Sequence, residues 1–205
     1  IVSPPPGTVI GWFALFQNNM LIGLLDLDLL LVVDQVLAML IFLALYVALR
    51  RANESLMAIG TVLVLASTVL FIASNPAFAM LSLSNQYAAA ATDAQRAVLL
   101  AAGQATIVTW QGSAFQASYI IGSIAPIIIS VVMLQSKLFN KATAYMGILA
   151  NVVAFGLYVP TIGVYISVFS VVFLWIWYIL IARRLFQLVQ GVSKEEANCL
   201  HAVFH

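Results

Sequence analysis

Charged side chains are scarce in this sequence. Only 7% of its 205 residues are charged, while 64% are hydrophobic and the mean hydropathy is +1.09. Ordinary soluble domains carry roughly 25% charged residues. The composition therefore excludes a typical water-soluble protein, and a net charge of +1 gives no electrostatic reason to expect a nucleic-acid partner.

Cysteine and histidine are also nearly absent. Cys199 is the single cysteine, so no internal disulfide can form, and the two histidines, His201 and His205, lie at the end of the sequence. Haem is usually held by His, Met or Cys ligands, and no apolar segment contains a histidine. Three possible ligands at one chain end form a weak metal motif. We therefore expect neither a cofactor nor a metal.

Enzyme signatures are missing as well. The sequence contains no P-loop, G-x-S-x-G or H-E-x-x-H motif, and these motifs place phosphate-binding, nucleophilic or zinc-binding groups in many enzymes. The sequence thus gives no positive reason to expect catalysis.

Long apolar runs are what the sequence does contain. From Ala142 to Ala182 no residue is charged, and only Pro160-Thr161-Ile162-Gly163 interrupts the run. A helix needs about 20 apolar residues to cross a bilayer, so this segment predicts a transmembrane hairpin. The whole pattern predicts an all-α, polytopic transmembrane helical bundle within residues 29–184, with five spans at about 29–49, 56–73, 113–134, 142–159 and 164–182.

The remaining segments are expected outside the bilayer core. Residues 1–28 form an extracytoplasmic lead with an interfacial helix over Thr8 to Leu25, and a second interfacial segment covers 76–110. Thr92 and Gln95 have the spacing of a capping box there. Residues 185–205 form a cytoplasmic tail. Because the sequence starts with Ile1, we also expect a further N-terminal span or a signal peptide before it.

Basic residues predict the orientation. Five crossings place seven of the eight on one side and only Arg96 on the other, and basic residues favour the cytoplasmic side. We therefore expect a bacterial cytoplasmic membrane protein with residue 1 outside and the C-terminus inside. The seven are Arg50, Arg51, Lys137, Lys141, Arg183, Arg184 and Lys194.

Asp34 is the most notable ionisable residue, because it lies about 7 Å into the first span at helical rise. A carboxylate within a span is a candidate proton or ion site. Its shallow position also fits an interfacial carboxylate that caps a helix or is paired. Asp26 falls near the same face, and Arg96 is the natural partner on the outer side.

Small and polar residues in the spans predict helix packing. One stripe of the third span has four-residue spacing, which lets another helix approach closely; its members are Ala114, Ser118, Gly122, Pro126 and Ser130. The approaching helix could be internal or belong to another subunit. Asn151, in the fourth span, is expected to join helices rather than bind a substrate.

Several stretches resemble a known family. They are Ala44 to Arg51, SNPAFAMLSLSNQYAAAATDAQRAVLLAAGQA from Ser74, KATAYMGILA from Lys141 and WYILIARRLFQL from Trp177. Together they resemble uncharacterised multi-pass bacterial membrane proteins, grouped only as a domain of unknown function and common in green non-sulfur bacteria. The resemblance implies an additional N-terminal span and supplies no catalytic residues.

These observations predict a non-catalytic membrane protein whose partners are the lipid bilayer and other membrane subunits. We expect an accessory or structural subunit of a larger complex, and the resemblance suggests electron transport or photosynthesis. The alternative is a small proton-linked transporter or carrier that uses Asp34. An internal hydrated cavity at Asp34 would favour the transporter, whereas Asp34 at the surface would disfavour it.

Overall fold

A computed structural model describes the backbone of residues 5–203 and the side chains of residues 5–191. Every regular element in this range is helical, as the sequence predicts. The α-helices are α1 (Val9–Asn18), α2 (Met20–Asp26), α3 (Leu29–Leu49), α4 (Glu54–Ser74), α5 (Ala77–Ala89), α6 (Asp93–Trp110), α7 (Ser113–Gln135), α8 (Lys141–Ala154) and α9 (Gly163–Val203), with a 3-10 helix, Phe155–Tyr158, after α8.

Four helical stretches are long and apolar enough to cross a membrane, one fewer than the five predicted. They are Leu29–Leu49, Glu54–Ala89, Asp93–Gln135 and Gly163–Gly191. Length and composition thus agree with a membrane protein built as a helical bundle.

The predicted fourth span is shorter than expected. The helix α8 has 14 residues, about 21 Å of helical rise, and tightens into the 3-10 helix at Phe155. Hydropathy alone does not mark this end, because Phe155 and Leu157 continue the apolar run. The expected fourth span therefore consists of two helical elements.

The last helix is longer than expected. The backbone of α9 continues through Arg183 and Arg184 to Val203, so the predicted tail after residue 184 continues the last helix. Two arginines favour water over hydrocarbon but are good helix formers. They can therefore mark the end of an apolar segment without ending the helix.

Local capping explains other helix bounds. Asn53 precedes α4 and its Oδ1 accepts from the amide of Leu56 at 3.1 Å, while α4 ends before Asn75-Pro76, where a following proline disfavours helical geometry. Thr92 and Gln95 form the predicted capping box, with amide-to-side-chain distances of 3.2 and 3.3 Å.

The described residues form two compact units. Unit 1 comprises the described part of Ile1–Leu45 together with Val62–Gly122, and unit 2 comprises Tyr46–Thr61 together with the described part of Ser123–His205.

The core of unit 1 is built around α1. Its apolar residues recur at helical spacing, and Trp12, Phe13 and Phe16 are 3%, 2% and 3% exposed. They pack with residues of α2 and α5. Gly103 on α6 allows this approach, because a Cβ there would lie 2.5 Å from Val9 Cγ1. The aromatic face of α1, in the first half of the predicted interfacial helix, is therefore covered by protein, whereas Leu21 in the second half is 66% exposed.

Polar contacts hold the same region together. The side-chain Nε2 of Gln17 donates to Ser84 Oγ at 3.0 Å, and the Ser84 hydroxyl donates to the carbonyl of Phe13 at 3.0 Å. Asn75 Nδ2 donates to the carbonyl of Leu27 at 2.8 Å. Thr8 to Leu25 is two helices rather than one, because Asn19 caps α2 through its side chain.

The core of unit 2 joins parts of α4 and α7 with α8 and α9. Gly60 lets α4 approach Ile129 of α7, where an added Cβ would lie 2.8 Å from Ile129 Cγ1. On α8, Gly147 lies against the ring of Trp177, which is 0% exposed. Small residues thus decide where these helices touch, as expected for helices packed in lipid.

Candidate functional site

An open pocket lined by cations lies on the surface of unit 2. Its volume is about 440 Å³, and three of its lining side chains are cationic while none is acidic. The lining residues are Lys137, Leu138, Phe139, Asn140, Thr143, Leu180, Arg183, Arg184 and Gln187. We call this the cationic pocket.

The pocket is shaped by a short loop held against α9. The guanidinium of Arg184 donates through Nε to the carbonyl of Leu138 and through Nη1 to Gln187 Oε1 at 3.2 Å. Phe139, only 5% exposed, anchors the loop. Asn140 Oδ1 accepts from the amide of Ala142 at 3.2 Å and so begins α8. The loop of residues 136–140 is therefore held at its middle by Arg184 and at its end by the cap of α8.

The electrostatics of the pocket favour an anion. Among the described side chains of unit 2, Glu54 is the single acidic group, against six cations: Arg50, Arg51, Lys137, Lys141, Arg183 and Arg184. The pocket also includes Asn140 and Thr143 at the start of α8, where the helix dipole is positive. An uncompensated group of cations at a helix start is suited to a phosphate or carboxylate.

Asp34 lies in a different environment, on the exposed surface of α3. Leu30 and Leu37, one turn before and after it, are 63% and 56% exposed. Asp34 has no ion-pair partner in the part of the chain that the structure describes. Its carboxylate thus interrupts an otherwise apolar outer face.

Arg96 is not joined to the carboxylates that sequence spacing pairs with it. Its Nη1 lies 3.7 Å from Asp93 Oδ1, one turn earlier on α6, and its Nη2 donates to the carbonyl of Ala90 at 3.3 Å. Asp26 is half-buried at the end of α2, and no ion pair links Arg96 to Asp26 or Asp34 among the described residues.

Asp28 is a carboxylate to which the sequence pattern assigned no role of its own. It follows α2 in the left-handed backbone region, with φ of 62°, and accepts a hydrogen bond from Trp110 at the end of α6. Burial raises the pKa of the Asp28 carboxyl above its ordinary value of 3.8, and the hydrogen bond from Trp110 opposes part of that rise. Asp28 therefore helps to join α2 to α6.

The small-residue stripe on α7 falls in two regions. In unit 1, Ser67 of α4 donates to the carbonyl of Ser118 at 2.8 Å, and a Cβ at Gly122 would lie 2.5 Å from Ser67 Oγ. Ala114 is half-buried in the same unit. These contacts bring α4 and α7 together within unit 1.

The remaining stripe residues lie in unit 2. Pro126 is buried inside α7, which continues through it. Ser130 is 0% exposed, and its hydroxyl has no hydrogen-bond partner among the described residues. Asn151 is buried and donates from Nδ2 to the carbonyl of Gly147 at 2.8 Å, within its own helix.

Metal-site candidates at the end of the sequence lie outside the described side chains: Cys199, His201 and His205. Within residues 5–191 no group of three His, Cys, Asp or Glu residues is placed to hold a metal ion.

No protein-family model, curated protein or solved structure matches this chain. The resemblance to uncharacterised multi-pass bacterial membrane proteins therefore stays a prediction.

In the sequence, the pocket cations indicate only the orientation of the chain. A hairpin of α8 and α9 returns the chain to the side where it began, so Lys137 before the hairpin and Arg183 after it could have been expected to lie close together. The lack of acidic residues from 97 to 194 is the remaining clue in the sequence.

Proposed function

We propose that this protein is a non-catalytic integral membrane protein that acts as an accessory subunit of a larger membrane assembly. The observation that carries the proposal is Asp34. A carboxylate at the centre of a span costs roughly 2.5–3.5 kcal/mol on insertion scales, and even at shallower depth an apolar surround is unfavourable. A neighbouring subunit with a basic or hydrogen-bonding side chain would offset that cost.

The low burial of α3 supports the same proposal. Only 17% of its most apolar 18-residue stretch is buried, the same share as in α9 and less than the 39% and 44% in the stretches that contain α4 and α7. The helix therefore presents most of its surface outward. The exposure of Asp34 on α3 disfavours the alternative, a proton-linked transporter, because that mechanism needs the carboxylate in an internal hydrated cavity.

Partner capture tests this proposal. An affinity-tagged chain, extracted in a mild detergent from the membranes in which it naturally occurs, should migrate in native gels with a complex much heavier than 22.2 kDa. Asp34→Asn should reduce the recovered partner, whereas Asp26→Asn, which also removes one carboxylate but lies outside α3, should not. Migration of the chain alone would refute the proposal.

A transport assay separates the two functions. In reconstituted vesicles with an internal pH dye, a subunit should leave the proton leak unchanged. Proton entry into the vesicles that is reported by the dye and abolished by Asp34→Asn would instead establish the proton-linked transporter. The resemblance favours an electron-transport or photosynthetic complex as the assembly.

The proposal includes five crossings of a bacterial cytoplasmic membrane. The helix α8 adds about 21 Å and the four-residue 3-10 helix about 8 Å, close to the roughly 30 Å of a hydrocarbon core. Together they can form the span that neither forms alone. The basic ends of α3, α7 and α9 then face the cytoplasm, as the positive-inside rule predicts.

Single-cysteine labelling tests this topology. In a Cys199→Ser background, Thr161→Cys lies between the 3-10 helix and α9, and Ser136→Cys lies between α7 and α8. A membrane-impermeant maleimide added to intact cells should label the first and spare the second. Equal labelling of both positions would refute the fifth crossing.

A further inference from the structure

We propose that the cationic pocket binds the phosphate group of an anionic phospholipid in the cytoplasmic leaflet. This inference rests on the proposed membrane insertion and orientation, but it does not depend on a partner subunit. Three cations and no acidic side chain line the pocket, so none of the described carboxylates balances the charge on Lys137, Arg183 and Arg184.

Not all of these cations serve the fold. Arg184 is engaged with the carbonyl of Leu138 and with Gln187, and it positions the loop. Lys137 and Arg183 are exposed, and neither donates a hydrogen bond or forms an ion pair among the described residues. Two cations held at the rim of a fixed pocket can therefore contact a ligand without breaking a contact that the fold needs.

A lipid suits the surface around the pocket better than a free anion does. One face of α9 leads away from Arg183 as an exposed apolar stripe of Val172, Trp175, Ile176 and Ile179, whose exposed fractions are 53%, 68%, 40% and 58%. The spacing of these residues places them on the same helix face as Arg183. A headgroup held at Arg183 would thus have its acyl chains along this stripe.

The position of the pocket fits the same ligand. It lies where α8 begins and where the apolar stretch of α9 meets Arg183-Arg184, which is the expected level of lipid phosphates at a span end. Basic pockets at the cytoplasmic ends of transmembrane helices bind phosphate-rich lipid headgroups. The positive end of α8 adds to the attraction.

Native mass spectrometry of the full-length protein tests the inference. The protein, released from detergent, is titrated with phosphatidylglycerol, with zwitterionic phosphatidylcholine of the same acyl chains, and with inorganic phosphate. We expect phosphatidylglycerol to bind more tightly than phosphatidylcholine. The double variant Lys137→Gln/Arg183→Gln should weaken phosphatidylglycerol binding about 30-fold, the loss expected for two basic side chains near an anionic headgroup.

The matched control removes the same charge elsewhere in unit 2. Arg50→Gln/Arg51→Gln changes two exposed cations that do not line the pocket, and it should leave phosphatidylglycerol binding within about twofold of the parent. Far-UV circular dichroism and the thermal midpoint of both variants verify that the fold is retained.

Three results would overturn the inference. Equal binding of phosphatidylglycerol and phosphatidylcholine would show that charge does not determine binding. An equal loss of phosphatidylglycerol affinity in both double variants would show that the cationic pocket is not the binding site. Displacement of phosphatidylglycerol by millimolar inorganic phosphate would assign the pocket to a soluble anion. The accessory-subunit proposal fails independently of this inference. In that case the chain migrates alone in native gels but still binds phosphatidylglycerol.

Discussion

The contact of Gly147 with Trp177 allows a direct test of the α8–α9 packing. A Cβ at position 147 would lie 2.5 Å from Cε2 and Nε1 of the Trp177 ring, and closer still to Ser130 Oγ. Ordinary carbon contacts begin at 3.4 Å, so the ring would have to retreat by about 1 Å. Trp177 and Ser130 are both 0% exposed, so neither side chain can move aside without displacing buried neighbours or filling an internal void.

The expected cost of Gly147→Ala follows from two opposing effects. Overpacking of a rigid core costs about 1–3 kcal/mol, and two buried groups in contact place this site at the upper end. Replacement of glycine by alanine in a helix returns up to about 1 kcal/mol. The net destabilisation should therefore be about 2 kcal/mol, which equilibrium unfolding in mixed micelles with increasing dodecyl sulfate can measure through circular dichroism.

Gly191 provides the matched control for this change. It too lies within a helix, α9, but an added Cβ there would meet nothing within 4 Å. Gly191→Ala should leave stability unchanged or raise it by up to about 1 kcal/mol. Trp177→Phe should recover part of the loss in the Gly147→Ala background. If Gly147→Ala were as stable as Gly191→Ala, the close approach of α8 to α9 would be refuted.

Two further predictions concern polar groups. Ser67→Ala removes the hydrogen bond to the Ser118 carbonyl and should lower the unfolding free energy by about 1 kcal/mol. Ser130→Ala removes a buried hydroxyl that has no hydrogen-bond partner among the described residues and should leave the unfolding free energy unchanged. The same micelle titration compares the two variants, and equal losses would contradict the hydrogen bond assigned to Ser67. The pKa of the Asp28 carboxyl is higher in the folded protein than its ordinary value of 3.8, so the folded state binds this proton more tightly. The unfolding free energy should therefore fall as pH rises from 3.8 through the raised pKa. Asp28→Asn keeps an acceptor for Trp110, tolerates the positive φ, and should remove that fall in stability measurements across this pH range; a pH dependence identical to the parent would rule out Asp28 as its source.

Local sequence rules predict much of the helical framework. The first predicted span and α3 share the bounds Leu29 and Leu49, and α7 extends only one residue beyond its predicted end. The capping box at Thr92 is formed by side chains within four residues of each other. Such features depend on hydropathy and on nearby hydrogen bonds, and both can be read directly from the sequence.

Features that depend on distant contacts were less predictable. The aromatic face of α1 is compatible with either lipid headgroups or protein, because an amphipathic helix has the same residue spacing in both surroundings. Only the positions of α5 and α6 determine that this face is buried in the core of unit 1. Likewise, Lys137 and Arg183 are 46 positions apart, and their shared pocket arises from the α8–α9 hairpin.

Polar residues inside apolar helices illustrate why residue type alone does not identify a site. Asn151 and Asp34 look equally unusual in sequence, yet Asn151 donates to the Gly147 carbonyl of its own helix and is buried. That hydrogen bond satisfies one donor of the Asn151 amide within its own helix. Asp34 is exposed between Leu30 and Leu37 and has no ion-pair partner among the described residues. The two residues differ in whether their own helix supplies a hydrogen-bond partner. We therefore expect loss of a neighbouring subunit to destabilise the surroundings of Asp34 rather than those of Asn151.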